Sequence, residues 1–425
     1  MPSDLNLDHL DPDVRFRIRE LMLAKPRTQS ERAELEDELI QALRATHRPG
    51  RRTDLQKTCT QDCEQVPKPK RRDSVYDIIG KWREESGETV RERHEVHKAA
   101  KADPESYGKL LQEMDDRKSP HRAYLRLQDM RFAEKIRNEP PLPKPVPVVQ
   151  RGEHWIVGDH NVQCGDAGSR HDLEQLMGGK MAALTVFSPP YNLSIEKSKP
   201  GMFQSGGWRR KVRSLAYNDS MPEDEYQARQ KHILQLVHDV VLKENGSFFL
   251  KHRNRSREKE LISADQLLPG PFKLRQKIVW PRSGHTTFTA RMFQPCHEMI
   301  YWLYKGEDYT FMSAPHIAAW GDVWQIPNEP NEHHPAAFPI ELPRRCIEAC
   351  SRPGEVVADI FLGSGTTLIA AELMGRKCFG MEIDPGFCSS AIERWQNFTG
   401  KPAKLDETGQ NYDQVKAERL GGAGQ

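Results

Sequence analysis

The chain has 425 residues, with 63 Lys/Arg against 61 Asp/Glu, a formal net charge of +2 at pH 7, 37% hydrophobic and 29% charged residues. That length accommodates two or three domains with a real core, and the charge balance excludes a uniformly basic nucleic-acid coat while leaving room for a local basic face. Eight cysteines do not make a disulfide framework at this size, and no apolar run is long enough for a transmembrane helix, so no membrane partner is expected.

Met1–Asp13 is acidic and polar, unlike the basic-then-apolar start of a secretory signal, and a cytoplasmic location is the expectation. Residues 1–45 read as a helical segment. Residues 46–73, rich in Arg, Lys, Thr, Gln and Pro with few apolar anchors, read as a basic linker. Cys59 and Cys63, like Cys346 and Cys350 further on, lack the two-residue spacing of a zinc knuckle, so ordinary thiols and no metal site are expected. Ser74–Trp82 predicts a helix, and Ser86–Arg93 predicts a cap, a turn and the opening of a second. Further helices near Pro104–Met114 and Ser119–Leu127 complete a helical region over 74–138. The prolines that follow mark a stiff, extended linker over 139–150.

Between 151 and 400 strands and helices alternate, as a parallel sheet requires, and the fold class is α/β. The apolar run Ala183–Phe187 ends in Ser188-Pro189-Pro190-Tyr191. Two prolines lack N–H donors and stiffen that turn, leaving carbonyl oxygens exposed. A carbonyl, a hydroxyl and an aromatic face together suit a planar base carrying an exocyclic amino group. Glu223–Leu242 predicts a long helix, followed by a strand over Gly246–Lys251. Lys277–Trp280 and Glu298–Leu303 are expected as further, antiparallel strands. Val356–Ile360 reads as a buried strand running into Phe361-Leu362-Gly363-Ser364-Gly365, then a helix from Leu368 to Met374, then the strand Cys378–Ile383 with Glu382 at its end. A glycine turn under a ligand, free helix N–H groups and a carboxylate at the next strand tip make a nucleoside-binding layout. Residues 401–425 are expected as a disordered tail.

Together these segments resemble the amino-directed DNA methyltransferases that use S-adenosylmethionine. The tetrapeptide precedes the glycine motif, which is similar to the circularly permuted β class. Gly165-Asp166, Asp322–Pro327, His334–Pro339 and Arg352-Pro353-Gly354 resemble further landmarks of that family, and the likeness covers about residues 150–398. Ile360 departs from it, standing where Pro is common. The resemblance implies a Rossmann-like methyltransferase sheet beside an all-helical N-terminal region, with S-adenosylmethionine as cofactor and double-stranded DNA as partner. A homodimer and a cognate restriction endonuclease are the further partners it allows.

It also implies roles. Ser188, Pro189, Pro190 and Tyr191 are the catalytic set, Ser188 and the Pro189 carbonyl accepting amino protons and Tyr191 stacking on a flipped base. Phe361, Gly363 and Gly365 lie beneath the cofactor with Asp359 just before them, and Thr366 and Thr367 bond its carboxylate. Glu382 takes the ribose hydroxyls, Asp166 reaches the adenine amino group, and His334 and Pro335 pack against the ligand. Trp208, Arg209, Arg210 and Lys211 in the stretch Lys197–Arg213, and Arg253 and Arg255 in the basic run Lys251–Arg257, are the expected DNA contacts. Base recognition is expected from residues 281–295 or 305–333. Pro295-Cys296 resembles the pair of the cytosine-C5 enzymes but stands out of their order, so Cys296 is expected to be structural. The helices over 74–138 resemble the helix-turn-helix of ParB-type partition proteins, without the usual Gly-Val-Ser turn. Ser at the head of the tetrapeptide favours cytosine-N4 over adenine-N6 as the target. The competing reading, a DNA-binding regulator on an inactive fold, is opposed by the intact Ser188, Tyr191, glycines and Glu382.

Overall fold

The structure, a computed structural model, describes residues 12–46, 74–193, 218, 220–257, 260–268, 270–282, 293, 295–312, 315–327 and 338–421. It divides into two compact units, one ending at Asn138 and the other beginning at Glu139.

The first unit is helical. Its elements are α1 (Pro12–Leu23), α2 (Gln29–Thr46), α3 (Val75–Arg83), α4 (Gly87–Ala102), α5 (Pro104–Arg117) and α6 (Pro120–Arg137). The expected starts are real caps: Ser74, Ser86, Asp103 and Ser119 each accept a backbone N–H from the first turn of their helix. Residues 12–46 and 74–137 share one unit, because α1 and α2 cover apolar residues of α3 and α4 such as Ile79 and Val90. The α3–α4 corner is tight. A Cβ on Gly80 would come within 2.8 Å of the Glu85 carbonyl oxygen, and Glu84 makes the turn at φ 57°. α4, the helix after that turn, is the most enclosed, burying Val90, Glu92, Arg93, His94, Val96, His97, Ala99 and Ala100. Its open stripe carries Glu88 and Arg91, then Lys98 and Lys101.

The second unit is built on a nine-stranded sheet. The strands are β1 (His154–Val157), β2 (His160–Cys164), β3 (Ala182–Phe187), β4 (Leu242–His252), β7 (Lys273–Pro281), β8 (His297–Tyr304), β9 (Val356–Asp359), β10 (Lys377–Glu382) and β11 (Lys404–Leu405), with β5 (Arg255–Arg257) and β6 (Glu260–Ile262) as a separate hairpin. The order is β11-β1-β2-β10-β9-β3-β4-β8-β7. The middle five strands are parallel, and β8 runs antiparallel to both β4 and β7, as expected for the last pair. All six residues of β3 are buried, which is why its sequence reads as an unbroken apolar run rather than an alternating one. Helices α7 (Arg170–Met177), α8 (Glu223–Leu236), α9 (Glu341–Cys350), α10 (Thr366–Leu373), α11 (Pro385–Thr399) and α12 (Tyr412–Gly421) complete the unit. From β9 the chain passes through α10 to β10 on one side; from β3 it passes through α8 to β4 on the other. The strand order thus reverses between β9 and β3, the position where open α/β sheets leave a crevice at their carboxyl edge.

Three expectations are corrected. The helix read over Glu223–Leu242 ends at Leu236, continues as a π turn over Val237–Val241 and gives way to β4 at Leu242; the run of valines there packs as readily into a strand as into a helix. The proline-rich stretch 139–150 is not a free spacer. The Val148 and Val149 N–H groups donate to Ser389 Oγ at 2.9 Å, Ser390 Oγ donates to the Pro143 carbonyl, and Glu139 pairs with Arg394. One proline carbonyl, that of Pro143, is taken up by a hydroxyl of α11. Nor do residues 401–421 of the expected tail 401–425 trail as a disordered segment; residues 422–425 lie outside the described residues. β11 pairs with β1, and α12 buries Tyr412 and Val415, the Tyr412 ring 5.5 Å from that of Trp155. Arg419 bonded to Glu153 and Lys416 paired with Glu393 hold the same helix beside these two apolar anchors.

Candidate active site

The parallel pairing of β3 with β9 matches Leu184 to Val357 and Thr185 to Ala358. Two motifs far apart in the chain therefore leave the same sheet edge side by side: the glycine turn after β9 and Ser188–Tyr191 after β3.

The glycine turn is held from inside. Gly363 and Gly365 have φ of 55° and 82°, a backbone region that favours glycine. At Gly365 a Cβ would also press to 3.0 Å from the Ala391 side chain of α11. Asp359, 1% exposed, accepts the Phe361 N–H at 3.0 Å and the Thr367 hydroxyl at 2.5 Å. Asp359 and Thr367 are thus turned inward and brace the loop, which corrects the expectation that they meet a ligand directly. Thr366 is likewise buried, its hydroxyl 3.3 Å from Arg394, which also donates to the Ser364 carbonyl. The N-terminus of α10 has no side-chain cap, so its first N–H groups suit an anion. Glu382 accepts the Gly363 and Asp384 N–H groups, both at 2.9 Å. Burial pushes its carboxyl up to about 7, and Asp359 likewise. A carboxylate has about four acceptor positions, so Glu382 keeps lone pairs for hydroxyl donors. Asp166 is half-buried and ion-paired with Arg229 at 2.9 Å, an interaction any ligand contact would have to share. Phe361 lies with its ring 5.2 Å from Phe187, bridging the two motifs.

The tetrapeptide is held just as closely. Ser188 Oγ and Tyr191 Oη lie 2.8 Å apart, and Tyr226 donates its hydroxyl to the Pro190 carbonyl at 2.7 Å. Asn192 turns the chain at φ 56° and exchanges two hydrogen bonds with the backbone of Met221. Tyr191 is 8% exposed, its ring against His252 and beneath the Lys251 ammonium. The phenol expected to stack on a base is therefore enclosed, and what it visibly holds is Ser188. Its own ionisation is suppressed, first by burial and then by Glu298. His252 is pushed down to about 3 by burial and stays neutral, its two ring nitrogens 2.8 Å from the Arg253 carbonyl oxygen and from the Tyr226 hydroxyl.

Other expected residues fare differently. Arg255 is 5% exposed, holds Glu223 with two hydrogen bonds of 2.7 Å and covers the Tyr226 ring, so it is a brace and not a phosphate contact. A run of basic residues at a strand end cannot reveal which of them turns inward. Arg253 is half-buried. Cys296 is exposed rather than packed, its backbone carbonyl taking the Arg282 N–H. Cys346 and Cys350 are buried in α9, as read. Trp208, Arg209, Arg210, Lys211, His334, Pro335, Cys59 and Cys63 lie outside the described residues. Among the described residues no cluster of three His, Cys, Asp or Glu is arranged for a metal, and no helix is long and apolar enough to cross a membrane. Sequence reading missed Lys251, His252, Glu298 and Tyr226 as members of this site. The only signal was that Lys251 and Glu298 are charged residues bordering apolar strands.

Comparison with known proteins places the chain among DNA methylases in sequence. Residues 182–393 match the family of DNA methylases directed at N6 or N4. The type II methyltransferase M.BglII of Bacillus subtilis is 28% identical over 273 residues, covering 56% of this chain and 68% of that one. M.SmaI of Serratia marcescens is 35% identical over 134 residues, 28% of this chain and 46% of its own length. Among solved structures, the cytosine-N4-specific PvuII DNA methyltransferase is 18% identical with a TM-score of 0.43, over 64% of this chain and 92% of that one.

Proposed function

We infer that this chain, a DNA amino-methyltransferase of the N6/N4 family, moves the methyl group of S-adenosylmethionine to the exocyclic N4 of cytosine in a specific duplex sequence. The observation that carries the reading is the adjacency of the Gly363–Gly365 turn and Ser188-Pro189 at the carboxyl ends of paired strands β9 and β3.

The residues fit the cofactor. Glu382 is a desolvated carboxylate with unused acceptor capacity beside a glycine turn, as a ribose diol requires. The uncapped start of α10 suits a carboxylate, and Phe361 offers an apolar wall. S-adenosylmethionine supplies an activated methyl on a sulfonium, which leaves by in-line displacement. An exocyclic amino nitrogen is a poor nucleophile because its lone pair is delocalised into the ring. Ser188 Oγ and the Pro189 carbonyl accept hydrogen bonds from its two N–H groups, localising the lone pair and aligning the nitrogen; one of those protons is released to solvent once the N–CH3 bond has formed and the C–S bond has broken. Pro189 has no N–H and Pro190 is anchored by Tyr226, so the carbonyls sit in a stiff frame. Base flipping is required, since the amino group is out of reach inside a duplex. The stretch Lys197–Arg213, with Trp208–Lys211, and Arg253 are proposed to meet DNA. Cytosine is favoured over adenine by Ser at the head of the tetrapeptide.

Nucleoside mass spectrometry of unmethylated bacterial DNA, incubated with the protein and S-adenosylmethionine, tests this. N4-methylcytosine is expected. N6-methyladenine would overturn the choice of base and keep the site, and neither product would return the regulator reading to the lead.

A further inference from the structure

Directly behind the tetrapeptide stands a buried ion pair with no part in the chemistry described so far. Lys251 follows Leu250, the last residue of β4 paired in parallel with β3, and Glu298 is the second residue of β8; the antiparallel pairing of β4 with β8 sets Lys251 opposite Ile300, two residues from Glu298. Lys251 Nζ lies 2.7 Å from Glu298 Oε2, with side chains 2% and 11% exposed. The rings of Tyr191, Trp280 and Phe338 surround the ammonium at 5.2, 5.3 and 5.8 Å. Arg282 reaches the other Glu298 oxygen at 3.4 Å. Ion pairs this deep rarely add stability over a well-packed apolar pair, so their retention asks for another reason. Both groups are charged at neutral pH. Burial alone would lower Lys251 and raise Glu298, but each charge outweighs the other's burial and the net shifts are upward for Lys251 and downward for Glu298.

Counting hydrogens sets a direction. Three contacts converge on Tyr191 Oη: Lys251 Nζ at 2.6 Å, Ser188 Oγ at 2.8 Å and Glu298 Oε2 at 3.4 Å. An ammonium only donates and an ionised carboxylate only accepts. In the one arrangement that puts a hydrogen in all three contacts, Tyr191 donates to Glu298 and accepts from Lys251 and Ser188. Ser188 is then the donor to Tyr191, and both of its own lone pairs are left for other donors. In the opposite sense, with Tyr191 donating to Ser188, the phenol oxygen would face the carboxylate with no hydrogen between them.

We propose that Lys251 and Glu298 are positioning residues that orient the chain Ser188→Tyr191→Glu298 and so make Ser188 Oγ an acceptor for the target amino group. The inference rests on the methyl-transfer reading and deepens it: the site is polarised for a substrate that donates N–H.

The test uses the full-length protein carrying Lys251→Met and Glu298→Met together, which removes both charges and leaves neither unpaired. Its kcat is expected to fall ~100-fold with KM for DNA and S-adenosylmethionine within about threefold of the unmodified protein. In a Ser188→Ala background the same pair of changes is expected to cost less than about threefold more, because the residues act as one unit. Lys251→Met alone leaves Glu298 without its ammonium, so burial raises the carboxyl, and kcat at saturating S-adenosylmethionine is expected to begin falling at a higher pH than in the unmodified protein as the solution is acidified. If the double variant does not fold, Glu298→Gln, isosteric, carries the kcat and Ser188→Ala comparisons with an expected loss of ~10-fold. Unchanged kcat in a folded variant, or losses that multiply in the Ser188→Ala background, would overturn the proposal. A complete lack of methyl transfer by the unmodified protein would instead overturn the functional reading on which it rests.

Discussion

Both units of this protein bury charge, and they use it differently. In the helical unit Arg93, 1% exposed, bonds Glu36, Glu85 and Gln29, tying α4 to α2 and to the α3–α4 corner. That network stays within the helical unit, Glu85 continuing to the partly exposed Arg32, and the same unit holds two small apolar cores, one around Ile18, Leu39 and Ile79 and one around Val96, Leu110 and Leu127. In the sheet unit the Lys251–Glu298 pair also sits in the core, but its hydrogen bonds lead outward through Tyr191 to Ser188 at the crevice. A buried charge network that only ties one part of a fold to another is a brace. One that ends on a hydroxyl at a strand tip can set that hydroxyl's chemistry.

The sharpest way to break this comparison is Ser188→Ala, expected to lower kcat by ~10²–10³-fold with cofactor affinity and thermal unfolding unchanged. A steady-state kinetic measurement with a cofactor-binding isotherm checks it, and a loss confined to KM would mean the hydroxyl only helps binding. Arg93→Met should do the reverse. It strands Glu36, whose carboxyl is already raised by burial, and is expected to cost ~3–5 kcal/mol in the denaturant unfolding of the helical unit while the isolated chemical step keeps its rate. Equal damage to both would show that the two units do not divide the labour this way.

A smaller effect concerns pH. Glu382 and Asp359 are both raised by burial to about 7, so below that pH they hold protons that their unfolded forms would have released. Their share of stability is therefore fullest below the ordinary carboxyl range and fades as pH rises through about 7. Cofactor binding runs the other way, because hydroxyl donors need the ionised Glu382. Affinity for S-adenosylmethionine is expected to rise by up to ~10-fold per pH unit approaching neutrality and then level off. Calorimetry across pH on Glu382→Gln and Asp359→Asn would assign the effect, with only the first expected to flatten it. Smallest is the contrast between neighbours in one basic run. Arg253→Gln is expected to reduce the salt slope of DNA binding by ~1, and Arg255→Gln to leave that slope alone while lowering the unfolding temperature. An altered slope for Arg255→Gln would mean that its pair with Glu223 opens when DNA binds.

What the sequence determined by itself is what local chemistry encodes. Ser74, Ser86, Asp103 and Ser119 announce helix starts because a side-chain oxygen must meet an orphan N–H. The β3 run reads as a central strand because both its faces are buried, and Gly363 and Gly365 read as a ligand turn because other residues resist their backbone angles. Tertiary structure decided everything that needs two distant segments to meet. The pairing of β3 with β9 joins the tetrapeptide to the glycine turn, and the antiparallel pairing of β4 with β8 sets Lys251 against Glu298 behind Tyr191. Whether Arg255 faced DNA or Glu223, and whether the last residues trailed free or packed Tyr412 against Trp155, were likewise decided there. A charge's partner and a ring's cover are properties of the neighbours that folding supplies, and composition holds no record of them.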